Sequence, residues 1–292
     1  MALDELVSDD RIRYREVDRI IKGYPTSDGA GVRLTRYIGS PELNDLDPFL
    51  LLDFFESENP DDYIAGFPSH PHRGFETVTY LLAGKVRHED SAGHGGVIEA
   101  GGIQWMTAGR GIIHSEMPEQ EDGRLAGFQL WVNLLAVDKM CQPAYHEYLA
   151  HEIPIETRGG GVKLRVIAGN TSAQTHGPVT GVATNPVYLD VTLPAGCKFI
   201  EPLPETHAAF IFVINGDLHQ IGGNKSDLIL SKQLGILKEH GHITVTAGDA
   251  GARFLLVAGQ SLNEPIARHG PFVMNTKTEI HQAIKDYNAG RF

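Results

Sequence analysis

The chain is poor in cysteine and in positive charge. Cys141 and Cys197 are its two cysteines among 292 residues, and neither belongs to a Cys-x-x-Cys pair. The sequence therefore predicts no cysteine-based zinc site and no disulfide framework. Lys and Arg number 25 against 37 Asp and Glu, which gives a net charge of −12, and no basic tract interrupts the chain. Because phosphate contacts need clusters of Lys and Arg, this balance argues against direct binding of nucleic acid.

Long apolar runs are absent as well. The longest, such as residues 208–214, fall far short of the ~18 residues that can span a bilayer. Residues 1–20 are rich in charge and lack the apolar core of a signal peptide. We therefore expect a cytoplasmic protein with reduced thiols, or also a nuclear one in a eukaryotic cell, and no membrane partner. Neither a Gly-x-Ser-x-Gly elbow nor a Walker loop occurs in the sequence.

Two pairs of potential metal ligands share one spacing. His70 precedes His72, and His114 precedes Glu116, each pair being two residues apart. Residues i and i+2 of a β-strand point to the same face, about 6.7 Å apart along the strand. Two neighbouring strands can thus direct all four side chains to one point. Three neutral imidazoles and one carboxylate suit iron(II), and also manganese, nickel, copper or zinc. We predict one divalent transition metal per chain, most suitably Fe(II).

The residues around these pairs predict short strands between glycine turns. Residues 75–82 are rich in β-branched and aromatic side chains and end at a glycine. Residues 103–107 and 125–135 have the same character, and residues 48–55 form a continuous apolar run typical of a buried strand. Short strands that carry ligands on two of their number indicate a small β-barrel whose mouth holds a metal.

The motifs give the chain a specific resemblance to the pirin family of cupin proteins. The matching segments are residues 70–76 (HPHRGFE), 88–90 (HED), 104–111 (QWMTAGRG), 114–118 (HSEMP), 130–134 (LWVNL) and 269–276 (HGPFVMNT). The resemblance implies an all-β protein of two tandem jelly-roll-like cupin barrels, with iron held by His70, His72, His114 and Glu116. General cupins usually take their carboxylate ligand from the first motif, where this chain has Glu76. The choice between Glu116 and Glu76 therefore stays open.

A change of composition after residue 135 predicts a domain boundary near residue 140. Residues 1–140 would form the N-terminal metal-binding barrel, in which residues 10–22 start the first sheet. Residues 141–292 would form the C-terminal barrel, which ends in a helix. The helix prediction rests on a capping box from Thr276 to Glu279 and on apolar residues at helical spacing after it.

The second half of the chain repeats the first. Residues 79–84 align with 211–216, and the Thr-Ala-Gly of 107–109 aligns with 246–248. Carried across this repeat, the four ligand positions fall on residues without a useful metal-binding group: Pro202, Pro204, Arg253 and Leu255. We therefore predict that the second barrel binds no metal of its own.

Four charged or titratable residues near the ligands have two interpretations each. His88 and His94 are expected at the surface or behind a ligand, where a second group often holds the other ring nitrogen of a metal-bound histidine. Arg73 and Arg110 flank the ligand segments. They are either solvated or salt-bridged side chains, or groups that steer an anionic substrate.

The resemblance also carries an expectation of function. Iron(II), three neutral histidines and one carboxylate give a site charge of +1, which favours a monoanionic substrate. Four protein ligands also leave coordination positions open for the substrate and O2. Pirins similar to this chain include proteins that cleave quercetin with O2, and others that act as non-enzymatic, iron-dependent partners of transcription regulators or metabolic enzymes. We expect an oxidoreductase of the quercetin 2,3-dioxygenase type that acts on a small flavonol-like substrate, releases CO and uses Glu116 as its base. The alternative is a redox-sensing regulatory protein, and a cupin isomerase or an oxygenase for another substrate is a weaker third.

Overall fold

The computed structural model describes residues 13–220 and 227–292, and these are mostly β-strand. The strands are β1 (Val17–Ile21), β2 (Tyr24–Asp28), β3 (Val32–Ile38), β4 (Phe49–Ser57), β5 (Phe67–His72), β6 (Phe75–Ala83), β7 (Lys85–Asp90), β8 (Gly95–Glu99), β9 (Ile103–Thr107), β10 (Ile112–Pro118), β11 (Leu125–Asn133), β12 (Ala144–Tyr148), β13 (Ile155–Thr157), β14 (Lys163–Ala168), β15 (Val187–Leu193), β16 (Lys198–Pro202), β17 (His207–Gln220), β18 (Asp227–Leu230), β19 (Leu234–Leu237), β20 (His242–Gln260), β21 (Ala267–His269) and β22 (Phe272–Met274). Helix α1 spans Lys277–Asn288, and short 3-10 helices span Pro60–Asp62 and Gly159–Gly161.

The chain divides into two compact units, each built from two separate segments. The first unit comprises Tyr24–Glu152 and Leu262–Phe292, and the second comprises Met1–Gly23 and Ile153–Ser261. This division differs from the predicted single boundary near residue 140. Pairing of edge strands is the physical reason: β1 is hydrogen-bonded to β19, and Arg73 forms a bridge with Phe272.

The first unit contains two facing antiparallel sheets and a small hairpin. The larger sheet has the order β12-β9-β6-β11-β4-β3-β2, and the smaller has the order β5-β10-β7-β8. Apolar side chains from both sheets form one buried cluster between them: Val32, Leu34, Phe55, Leu81, Val86, Ile98 and Leu125. Strand β4 is buried along Phe49–Phe55, as its continuous apolar run predicts.

Helix α1 packs on the hairpin of β21 and β22, within the first unit. Its capping box is present, because Thr276 Oγ1 accepts from Glu279 N and Glu279 Oε2 accepts from Thr276 N. Ile280 and Ala283 lie against Phe272 and Met274. The predicted helix is therefore confirmed, but it belongs to the same unit as the histidine pairs rather than to the second unit.

The second unit is built on a nine-stranded antiparallel sheet. Its main order is β1-β19-β17-β20-β15-β14-β13, with β16 on β20 and β18 on β17. Residues 10–22 were predicted to start the first sheet. Strand β1 belongs to this sheet instead, and residues 10–12 lie outside the described residues.

Both units have cupin jelly-roll sheets, and neither is a closed barrel. The repeat is visible at Gly84 and Gly216, both of which adopt the positive φ that favours glycine. It is less regular at the second match. Gly109 lies just after strand β9 and has a positive φ, whereas Gly248 lies inside the long strand β20. No helix among the described residues has the length and apolarity that crossing a membrane requires.

Candidate metal centre

The three predicted histidine ligands come together on two neighbouring strands of the smaller sheet in the first unit. Strands β5 and β10 run antiparallel, with His70 opposite His114 and His72 opposite Ile112. The buried face of β10 carries Ile112, His114 and Glu116 in strict alternation. The sequence spacing therefore produces the shared face that it predicts.

The geometry of the three rings suggests a metal site. One ring nitrogen of each of His70, His72 and His114 lies within 4.8 Å of the others, the only such group of three found in the described residues. Nε2 of His70 is 3.0 Å from Nε2 of His72. Nδ1 of His70 faces the Pro68 carbonyl at 2.8 Å, so Nδ1 carries the proton and Nε2 presents its lone pair.

Burial keeps two of these imidazoles neutral. His72 and His114 are 3% and 2% exposed. Burial, and then the neighbouring histidines, lower the pKa of both side chains well below the usual value. Nε2 of His114 is buried and has no hydrogen-bond partner among the described residues, an arrangement that costs free energy unless a ligand meets the lone pair. Neutral imidazoles with an unused inward nitrogen are what a divalent metal binds, so the residues present fit the metal that the motifs imply.

His88 and Asp90 form a hydrogen-bonded support behind His114. His88 is fully buried, with Nδ1 3.4 Å from Nδ1 of His114 and Nε2 3.4 Å from Oδ2 of Asp90. If His114 donates from Nδ1 to Nδ1 of His88, then His88 carries its proton on Nε2 and donates it to Asp90. In this arrangement the proton of His114 is on Nδ1, and the lone pair of its Nε2 is free. His94 meets Asp90 from the exposed side at 3.1 Å. Both histidines were expected at the surface or behind a ligand, without a choice between the two. His88 lies behind His114, and His94 lies on the exposed side.

Glu116 lies on the same cavity wall but outside the group of three rings. Its Oε1 is 2.7 Å from Thr79 Oγ1, which is also 2.7 Å from Oε1 of Gln129. A hydroxyl has one proton to donate, so both contacts are satisfied when the Gln129 amide turns its nitrogen to Thr79. Thr79 then donates to Glu116 and fixes the direction of its carboxylate.

Glu76 points to the other face of its strand. Phe75 contacts His72 and Trp131, with ring centroids 5.0 and 4.3 Å apart, and successive residues of a strand face opposite sides. Glu76 Oε1 instead accepts from Thr107 at 2.7 Å, and burial raises the pKa of Glu76 to about 7. A strand that ran regularly from His72 would place Glu76, four residues further on, on the ligand face. The strand does not run regularly, because the chain turns at Gly74, whose φ is +87° and where an added Cβ would lie 2.0 Å from the Val273 carbonyl oxygen.

A cavity of about 590 Å³ opens beside the histidines, within the first unit. Its lining includes apolar and aromatic side chains, namely Leu34, Leu51, Phe55, Phe67 and Trp131. It also includes charged side chains, namely Asp28, Arg36, Asp53 and Arg268. His70, His72 and Glu116 border the cavity as well.

The arginines singled out from the sequence do not border this cavity. Arg73 is buried, pairs with Asp286 at 2.7 Å and lies over the Phe292 ring, so it has a structural role. Arg110 is exposed. Arg36 and Arg268 border the cavity instead, and sequence reasoning missed both. Arg268 directly precedes the 269–276 motif, which was the one available signal.

Comparisons with known proteins find family profiles, relatives and a solved structure that are similar to this chain. The family profile described as Pirin matches residues 31–132, and the profile described as Pirin C-terminal cupin domain matches residues 188–292. A pirin-like protein of Caulobacter vibrioides is 50% identical over 95% of this chain and 99% of its own length. Human pirin is 44% identical over 89% of this chain and 88% of its own length. A crystal structure of quercetin 2,3-dioxygenase from Acinetobacter baumannii superimposes with a TM-score of 0.86 at 36% identity, covering 96% of this chain and 98% of that one.

Proposed function

This chain belongs to the pirin family of cupin proteins, and from that premise we propose that it is a metal-dependent dioxygenase that cleaves quercetin-type flavonols with O2 and releases CO. The observation that carries the proposal is the cluster of three histidines at the edge of a partly aromatic cavity. A volume of about 590 Å³ lies within the range of small-molecule sites. The similarity to a protein described as quercetin 2,3-dioxygenase supports the same substrate class.

We propose iron(II) as the metal, held by His70, His72 and His114 with Glu116 as the fourth ligand. Manganese, nickel, copper and zinc suit the same donor set. The bound metal would supply Lewis acidity toward the flavonol oxygens and redox chemistry toward O2. With one carboxylate the site charge is +1, which favours a flavonol that has lost one proton.

The residues of the chain then perform three tasks. Glu116 accepts the proton of the flavonol 3-hydroxyl, and general-base help of this kind is typically worth about 10²- to 10⁴-fold in rate. Thr79 and Gln129 orient the Glu116 carboxylate for that transfer. Phe55, Phe67 and Trp131 border the cavity and hold a planar aromatic substrate away from bulk water.

An oxygen-electrode assay with quercetin tests the proposal, using protein whose metal content has been measured after purification without added metal. We expect metal-dependent O2 uptake and formation of CO. Glu116→Gln should lower the rate by about 10²- to 10⁴-fold and weaken metal retention, while Glu76→Gln, the matched control, should change both far less. If Glu76→Gln alone removes the metal and Glu116→Gln retains metal and turnover, the two carboxylates have been assigned the wrong way round. No uptake by metal-loaded protein, together with a stable complex with a regulator or enzyme, would favour the non-enzymatic, iron-dependent regulatory role.

A further inference from the structure

The charged lining of the cavity contains two arginines, which differ in whether an acidic side chain pairs with them. Arg36 donates from Nε and Nη2 to the two oxygens of Asp53, at 2.8 and 2.7 Å, and from Nη2 to Asp28 at 2.7 Å. Both acidic residues of this wall are therefore engaged by one guanidinium. Arg268 forms no ion pair within the part of the chain that the structure describes, and its hydrogen bond goes from Nη1 to the Leu50 carbonyl at 3.1 Å.

Trp131 holds the Arg268 guanidinium in place. The guanidinium carbon lies 4.7 Å from the centroid of the Trp131 ring, in a cation–π contact. Stacking on an aromatic face and one backbone hydrogen bond fix the planar fork, so less conformational freedom is lost when a ligand binds it. A guanidinium has five N–H donors, and most of those on Arg268 remain available at the cavity.

Trp131 also links Arg268 to the metal centre. Its ring lies 5.2 Å from the His72 ring, centroid to centroid, and all three residues border the cavity. A flat aromatic molecule that lies along this wall has one end at the histidines and its other end near Arg268.

We propose that Arg268 is an anion-recognition group, which binds a carboxylate or an ionised phenol on the part of the aromatic substrate that lies away from the three histidines. The inference rests on the proposed function, and it narrows the substrate class to acidic flavonols or related acidic aromatics. A carboxylate matches the guanidinium fork with two hydrogen bonds, and a phenolate accepts at a single oxygen. Because Arg268 is exposed, the ion pair forms at the mouth of the cavity and should weaken with added salt.

Binding to zinc-loaded protein tests the inference without turnover of the probe. The probes are 3-hydroxyflavone, 3,7-dihydroxyflavone and a 3-hydroxyflavone that carries a carboxylate on its outer ring, each titrated by absorbance at low and high salt. Arg268→Gln should weaken binding of the carboxylate probe by about tenfold at low salt and change binding of 3-hydroxyflavone by less than about twofold. Arg268→Lys should retain part of the preference, because it keeps the charge and loses the fork. Arg33→Gln is the matched control, since Arg33 is 77% exposed, pairs with Asp62 and does not border the cavity.

The second acidic probe distinguishes the two oxyanions. Sensitivity of 3,7-dihydroxyflavone to Arg268→Gln above the pH at which its 7-hydroxyl ionises identifies a phenolate as a ligand, and sensitivity of the carboxylate probe alone identifies a carboxylate. Equal effects on all three probes, no effect on any, or no binding of either acidic probe would overturn the inference. If binding depends on Arg268 but the iron-loaded protein consumes no O2 with any probe, the dioxygenase proposal fails and the anion site stands.

Discussion

His114 presents Nε2 to the other two rings because its opposite nitrogen meets His88, which in turn meets Asp90. Such supporting contacts orient a ligand and raise its basicity, although they never touch the metal. Asp90 is held as an acceptor in its turn: burial raises its pKa, but hydrogen bonds from the His94 backbone and from the His88 and His94 rings lower it overall.

Removal of this support should weaken metal binding. We expect His88→Gln to lower metal affinity by about 10- to 100-fold, measured by competition with a chelator, because His114 loses the partner that fixes its tautomer. His94→Gln serves as control and should change affinity little, since His94 meets Asp90 from the exposed side. Unchanged affinity in a folded His88→Gln protein would show that His114 needs no such partner.

Glu76 should make stability depend on pH. Burial raises its folded pKa to about 7 from a usual 4.5, so the folded state loses stability as the pH rises from about 4.5 to 7. Glu76→Gln removes this dependence. We therefore expect the free energy of unfolding in urea to rise by about 2 to 3 kcal/mol in the variant relative to the wild type between pH 5 and pH 8. Glu119→Gln should show no such gain, because hydrogen bonds from Arg87 lower the pKa of Glu119, and an equal gain there would contradict the assignment.

The sequence spacing predicts that the histidines share one face, because the two members of each pair lie two positions apart on one strand. It leaves Glu76 and Glu116 open, since the decision depends on the turn at Gly74, a backbone conformation that the sequence does not specify. Arg268 escapes prediction for a different reason. Arg268 reaches the cavity from a segment far away in sequence. Neither the residue pattern of that segment nor the neighbouring residues indicate that it will lie at the cavity.

At the scale of secondary-structure elements, helix α1 is tied to the ligand-bearing segment by one ion pair. Arg73, directly after His72, donates to Asp286 on α1, and only 4% of the Arg73 side chain is exposed. Asp286→Asn leaves this buried guanidinium without its counter-charge and should lower the free energy of unfolding by about 3 kcal/mol, with faster hydrogen exchange in residues 272–288. Lys285→Ala, an exposed change on the same helix, should stay within about 0.5 kcal/mol. Similar losses for the two variants would mean that the pair contributes no more than general helix stability.

The helix and the central strands are the most predictable elements. A capping box and apolar spacing determine α1 locally, and a continuous apolar run determines β4. The pairing partner of an edge strand is not local information. Strand β1 therefore could not be assigned from sequence to the sheet that contains β19.

At the scale of the whole molecule, the repeat supplies two cupin units, but the described residues contain one cluster of three histidines. Two of the positions that align with metal ligands have other contacts in the second unit. Arg253 pairs with Asp190 through two hydrogen bonds, and Leu255 is fully buried. We expect elemental analysis of the full chain to give one metal per chain, and His70→Ala combined with His114→Ala to remove it. Two metals per chain, or retention after the double substitution, would place a ligand set elsewhere. The full chain is the right sample, since a cut at residue 140 would remove β1 from the second unit and β21, β22 and α1 from the first.

Because the first unit is built from two separate segments, the residues that line its cavity are not all synthesised at the same time. A ribosome releases the three histidines early, but Arg268, Gly270 and Pro271, which complete the cavity wall, emerge only after the whole of Ile153–Ser261. Val273 packs with Leu50 and Phe75 and arrives equally late. This part of the cavity wall therefore forms only after the last segment has been synthesised and has docked. A chain cut short before residue 262 lacks this part of the wall beside its histidines.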